Sequence, residues 1–124
     1  MFDHVIIDVV DLEASRTFYE RALAPLGISV VMEFERRTAF GPANGRPQFW
    51  LVARGAEGAT GVHIAVAAPD PEAVDEFHRT ALAAGGRDKG APGLRPQYHS
   101  SYYGAFVLDP DGNNIEAVHH GSAF

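Results

Sequence analysis

Part of this chain occurs twice. His4 to Gly27 and His63 to Gly86 align without a gap at a constant offset of 59 residues, with 9 identities in 24 pairs. The matches include His4 with His63, Asp11 with Asp70, Phe18 with Phe77, and Gly27 with Gly86. An ungapped register of this length points to an internal duplication, and so to two copies of one supersecondary unit. The ends of the copies align at a second offset, 66 residues. Ala39-Phe40 then falls on Ala105-Phe106, Val52 on Val118, Gly55 on Gly121, and Trp50 on Glu116.

Within each copy the pattern predicts a strand followed by a helix. Val5 to Val10 and Val62 to Val66 are short apolar runs. Asp11 and Asp70 are suited to N-cap the helices that follow, and Pro71 stands at a first helical position, where proline is favoured. Ala14, Phe18, Tyr19, Ala22, Leu23 and Leu26 share one helical face. So do Val74, Phe77, His78, Ala81 and Leu82. Gly27 and Gly85-Gly86 provide stops. Ile28–Phe34, Thr38–Phe40 and Gln48–Ala53 read as three further strands. Arg54 to Gly61 reads as a linker, and Asp88 to Ser101 as a loop with a short strand. Phe106 to Val118 reads as strand, turn, strand around Asp109-Pro110-Asp111-Gly112. The expectation is one α+β domain over 1–124, built of two tandem βαβββ modules, 1–54 and 62–120.

A chain of 124 residues with 46% hydrophobic residues can bury a real core. The formal net charge of −6 is scattered and shows no basic face, which argues against nucleic acid as a partner. There is no cysteine, so thiolate chemistry and disulfide frameworks are excluded. No basic leader precedes the first strand and no apolar run is long enough to span a bilayer, so a cytoplasmic protein without membrane contact is expected.

The site candidates follow from one misplaced charge. Glu116 stands inside an apolar strand run, where a carboxylate needs a partner, a cation or a wet cavity. His4 and His63, each opening a strand at repeat-related positions, are the best candidates to share a site with it. Either histidine taken alone would read as an ordinary strand-end residue.

These residues resemble the vicinal oxygen chelate superfamily, which holds glyoxalase I, bleomycin-resistance proteins, fosfomycin-resistance transferases and extradiol dioxygenases. The resemblance rests on the strand-opening histidines, the helix Asp-Leu-Glu-Ala-Ser-Arg-Thr-Phe-Tyr-Glu and the closing Asp109-Pro110-Asp111-Gly112-Asn113 with Ile115-Glu116. It covers essentially the whole chain. It implies curved sheets around a cavity, often completed by dimerisation, so a homodimer is expected. It also implies that His4, His63 and Glu116 match three metal-ligand positions. The fourth matches Trp50, which cannot ligate. Two imidazoles and one carboxylate suit a divalent ion such as Fe, Mn, Zn, Ni or Co, leaving positions open for substrate oxygens.

Other side chains complete the expected site. Simple pairing around the turn sets Ala105 opposite Glu116, which puts Tyr103 on the face of Glu116 as a hydrogen-bond donor with a catalytic or substrate-binding role, or as plain aromatic core. His99 is loop-borne and could contact substrate or act as a base. Trp50 reads as an apolar wall. His119 and His120 read as surface residues. Two functions remain open. One is a metal-dependent lyase, isomerase or dioxygenase acting on a small oxygenated molecule. The other is a metal-free drug- or metabolite-binding protein of the bleomycin-resistance type. The three ligand-type residues favour the enzyme, and Trp50 counts against a glyoxalase.

Overall fold

A computed structural model of the chain describes residues 2–55, 57–58 and 60–121. The expected linker Arg54 to Gly61 therefore lies partly outside the described residues, at Ala56 and Ala59. The first module holds β1 (Val5–Asp8), α1 (Leu12–Leu23), a 3-10 turn (Ala24–Leu26), β2 (Ile28–Phe34), β3 (Arg37–Pro42) and β4 (Phe49–Val52). The second holds β5 (His63–Ala67), α2 (Pro71–Ala83), β6 (Arg87–Leu94), β7 (Tyr103–Leu108) and β8 (Asn114–His119). Each module makes one four-stranded mixed sheet, in the orders β1-β4-β3-β2 and β5-β8-β7-β6. This is the α+β fold of paired βαβββ modules, with sheets that are curved but not closed.

The sheet registers account for both sequence offsets. Ile6 lies opposite Trp50 across the parallel β1–β4 pair, and Ala65 lies opposite Glu116 across the parallel β5–β8 pair. Ile6 and Ala65 are 59 residues apart, and Trp50 and Glu116 are 66 apart. The second module carries seven extra residues between its first and last strands, and the equivalence of Trp50 with Glu116 is structural.

The helices form where their caps dictate. Asp11 Oδ1 accepts from Ala14 N at 3.1 Å, and Asp70 Oδ1 accepts from Ala73 N at 2.8 Å. Gly27 ends the first helical segment at φ 80°, a left-handed conformation that glycine adopts without strain. The two helices pack on each other, and each covers one face of its own sheet. Phe18, Tyr19, Ala22 and Leu23 from α1 meet Val74, Phe77 and Ala81 from α2 in one continuous core with Leu51, Val107 and Ile115. Ser15, not Ala14, completes the buried face of α1. Tyr19 donates its hydroxyl proton to Asp109 Oδ2 at 2.6 Å, tying α1 to the β7–β8 turn of the other module.

Two expectations are corrected. The stretch expected to be a loop with a short strand contains β6, an eight-residue strand with the sequence Arg-Asp-Lys-Gly-Ala-Pro-Gly-Leu. It is an edge strand, where proline and glycine are tolerated because one side of the ladder needs no donor. The β7–β8 register also differs by one residue from simple turn pairing. Phe106 lies opposite Glu116, and Tyr103 opposite His119. The turn spans Asp109 to Asn113 because Asp109 pins it: Oδ1 accepts from Asp111 N at 2.9 Å and Asn113 N at 2.8 Å, and Asp109 N donates to Asn113 O at 2.8 Å.

Candidate functional site

Each sheet turns one face to the helices and leaves the other bare. On the second sheet the bare face carries Glu116. Its side chain is 3% exposed, although it sits on the side away from α2. Parallel pairing of β5 with β8 sets His63 beside it, and His63 Nε2 lies 3.0 Å from Glu116 Oε1. The second carboxylate oxygen, Oε2, accepts from the Tyr102 hydroxyl. Gly104 leaves room for this arrangement. A Cβ there would come within 3.2 Å of both Glu116 Oε2 and the Tyr102 ring.

Burial, and then the hydrogen bond and negative charge of Glu116, raise the Tyr102 phenol above its ordinary value. The hydroxyl therefore stays protonated and is fixed as a donor. Tyr102 is the residue that sequence reasoning missed in favour of its neighbour. Tyr103 points to the helix side, where its hydroxyl donates to Asp75 Oδ1 at 2.6 Å, so it does not share the face of Glu116. The one-residue shift in hairpin register is the reason.

His99 reaches the same cluster from the β6–β7 connection. Its ring meets Tyr102 edge-on at 5.4 Å between centroids, and its Nε2 lies 2.9 Å from His120 Nδ1. His99 Nδ1 accepts from Ser101 N at 3.2 Å, so in the neutral ring Nε2 carries the proton toward His120. His120 is half-buried against Tyr102, at 5.2 Å between ring centroids, and is not a plain surface residue. His119 Nδ1 lies 3.1 Å from Ala68 O.

His4 lies elsewhere in the chain. It lines a depression on the bare face of the first sheet, together with Ile6, Arg37, Pro47, Trp50, Val52 and Arg54. Its Nδ1 is 2.7 Å from Asp3 Oδ1. Trp50 lies on this face nearly parallel to Phe34, at 6.3 Å and 19°. Within one chain the fold therefore joins His63 and Glu116 but not His4. Among the described residues no three His, Cys, Asp or Glu side chains converge.

The pair itself fits a metal. Two donors adjacent in one coordination sphere, each about 2.0–2.2 Å from the ion, lie about 3 Å apart. That is the spacing of His63 Nε2 and Glu116 Oε1. Tyr102 on the remaining oxygen is the kind of outer partner that orients a ligating carboxylate.

Paired βαβββ modules with a carboxylate on the last strand beside a histidine on the first define a class of fold, and the comparisons specify it. The family model of the Glyoxalase/Bleomycin resistance protein/Dioxygenase superfamily matches residues 1–117, and the chain belongs to that superfamily. A glyoxalase/bleomycin resistance protein from Albidiferax ferrireducens T118 is 34% identical, with a TM-score of 0.83 over 96% of this chain and 98% of that one. A lactoylglutathione lyase from Agrobacterium tumefaciens shares the fold at 22% identity and TM-score 0.68, covering 96% of this chain and 92% of that one. A glyoxalase I variant from Zea mays does so at 23% and 0.72, over 94% of this chain and 46% of that one. No curated protein matches the chain. Among the described residues no helix is long and apolar enough to cross a membrane.

Proposed function

We propose that the chain is a metal-dependent enzyme of the glyoxalase/dioxygenase type, acting on a small oxygenated molecule as a lyase, isomerase or dioxygenase. The observation that carries this is the Glu116 carboxylate, buried on an otherwise bare sheet face and held between His63 and Tyr102. A buried carboxylate is costly unless matched by positive charge, and a divalent ion beside a neutral imidazole supplies it. When bound, such an ion polarises substrate oxygens as a Lewis acid.

A second copy of the chain would supply the missing ligand. The edge strand β1 leaves Ile6 45% exposed on the bare face of the first sheet. Docking the first-module face of one copy over the second-module face of another, with a cavity left between them, would bring His4 toward His63 and Glu116. Twofold symmetry then makes two equivalent sites. In this arrangement His4 of one copy, with His63 and Glu116 of the other, would hold the ion, Tyr102 would keep the carboxylate aimed, and Trp50 and Phe106 would wall the cavity.

The alternative is a metal-free binding protein of the bleomycin-resistance type. It is favoured by the separation of His4 from the other two side chains within the chain, and by Trp50 in the position equivalent to Glu116. Elemental analysis of untagged protein purified without chelator separates the two. The enzyme reading expects divalent metal in the wild type and its loss from a folded Glu116→Gln variant. Wild-type protein that takes up no divalent metal supports the binding protein.

A further inference from the structure

We propose that the depression on the bare face of the first sheet binds a planar aromatic carboxylate, with its ring on Trp50 and Ile6 and its anionic group on Arg37. This deepens the proposed function, because it rests on the assignment of that face to the ligand cavity and adds the chemical class of the ligand.

The depression has a volume of about 480 Å³, within the ordinary range for small-molecule sites. Its floor combines an indole with two positive side chains, Arg37 and Arg54. Arg54 is already engaged, with Nε 2.7 Å from Asp8 Oδ1. Arg46 engages Asp3, which lines the depression, at 3.3 Å. Arg37 is different. Its guanidinium carbon lies 4.6 Å from the Phe34 ring centre and 5.5 Å from that of Trp50, and among the described residues it has no carboxylate partner. The aromatic rings fix its direction without neutralising it. A guanidinium held this way is prepared to take a carboxylate through two parallel N–H donors.

Charge balance agrees. Three guanidiniums, Arg37, Arg46 and Arg54, stand against two carboxylates, Asp3 and Asp8, in a chain whose net charge is −6. The local excess is positive where the surrounding protein is negative, so an anion is drawn to this face. The same face offers apolar surface to the ring of the ligand. Ile6, 45% exposed, lies opposite Trp50 across the β1–β4 pair, and Phe34, 50% exposed, lies nearly parallel to the indole, so apolar surface flanks Trp50 where a flat ring would sit. In the second module the equivalent of Trp50 is a carboxylate, so the duplication has given one half of the molecule an anionic centre and the other an aromatic, cationic one.

Trp50 is the only tryptophan of the chain, so its fluorescence reports on this face directly. The experiment titrates chelator-treated protein with benzoate, benzamide and propanoate, which removes any contribution from a metal. Benzoate should give a saturable change. Benzamide, which keeps the ring without the charge, and propanoate, which keeps the charge without the ring, should each bind at least about tenfold more weakly. Arg37→Gln should weaken benzoate about tenfold and leave benzamide unchanged. Equal binding of benzoate and benzamide by the wild type overturns the proposal without reference to any variant. So does the absence of a saturable change, or a folded Arg37→Gln that binds benzoate as the wild type does. A protein that binds benzoate but no metal contradicts the metalloenzyme and leaves this site standing.

Discussion

Tyr102 donates its hydroxyl proton to the Glu116 oxygen that His63 does not touch, so the carboxylate is gripped on both sides. The consequence is that Glu116 has a fixed orientation before any ligand arrives. Outer partners of this kind typically change metal affinity by about 10–100-fold. Tyr102→Phe is therefore expected to weaken zinc binding in that range by calorimetric titration, with the fold intact. Tyr103→Phe, whose hydroxyl serves Asp75 on the other side of the sheet, is expected to leave it unchanged.

The Tyr19–Asp109 hydrogen bond joins the two modules through the core. Tyr19 is 1% exposed and Asp109 is 1% exposed. Burial, with the charge of Asp109 behind it, raises the Tyr19 phenol far above its ordinary range, so it remains a donor. Tyr19→Phe removes a hydrogen bond to a buried charged group, a loss of about 1–3 kcal/mol. Urea denaturation should show a lower midpoint at an unchanged slope, because the surface exposed on unfolding stays the same.

Asp111 gives a pH dependence of defined sign. Its pKa is raised above the ordinary value of 3.8, first by burial and then by the neighbouring charges of Asp109 and Asp11, with the Val10 N–H opposing. A raised folded pKa means that the native state holds its proton more tightly than the unfolded chain does. The stabilising contribution is fully present below 3.8 and is lost as pH rises through the folded pKa. At neutral pH the group is a burden. Asp111→Asn, which keeps an oxygen for the Val10 N–H, should be more stable than wild type there. The difference should shrink as denaturation is repeated at lower pH through the carboxylate range.

The duplication was legible because its signals are local. Asp11 and Asp70 cap, Gly27 stops, and Phe18 and Phe77 fill the core, and each acts within a few residues of its own helix. The neighbourhood of His63 and Glu116 was legible too, since first and last strands of one module pair directly. Tyr102 was not, because its face depends on a hairpin register that is set by hydrogen bonds of Asp109, and one residue of shift reverses every side chain. Strand β6 was hidden by Gly90, Pro92 and Gly93, whose composition reads as loop until its place at a sheet edge is known. The separation of His4 from Glu116 depends on how the modules pack through α1 and α2, and a repeat in sequence does not specify that.

Metal content of mixed dimers tests the shared site most directly. A His4→Ala chain keeps His63 and Glu116, and a Glu116→Gln chain keeps His4. Each variant alone should bind no metal tightly. Co-refolded and isolated as the heterodimer through two different removable tags, the pair holds one complete site, with His4 from one chain and His63 and Glu116 from the other. The account predicts one divalent ion per heterodimer by elemental analysis after tag removal. A heterodimer as empty as either parent, beside a wild type that binds metal, would contradict a site shared between two chains.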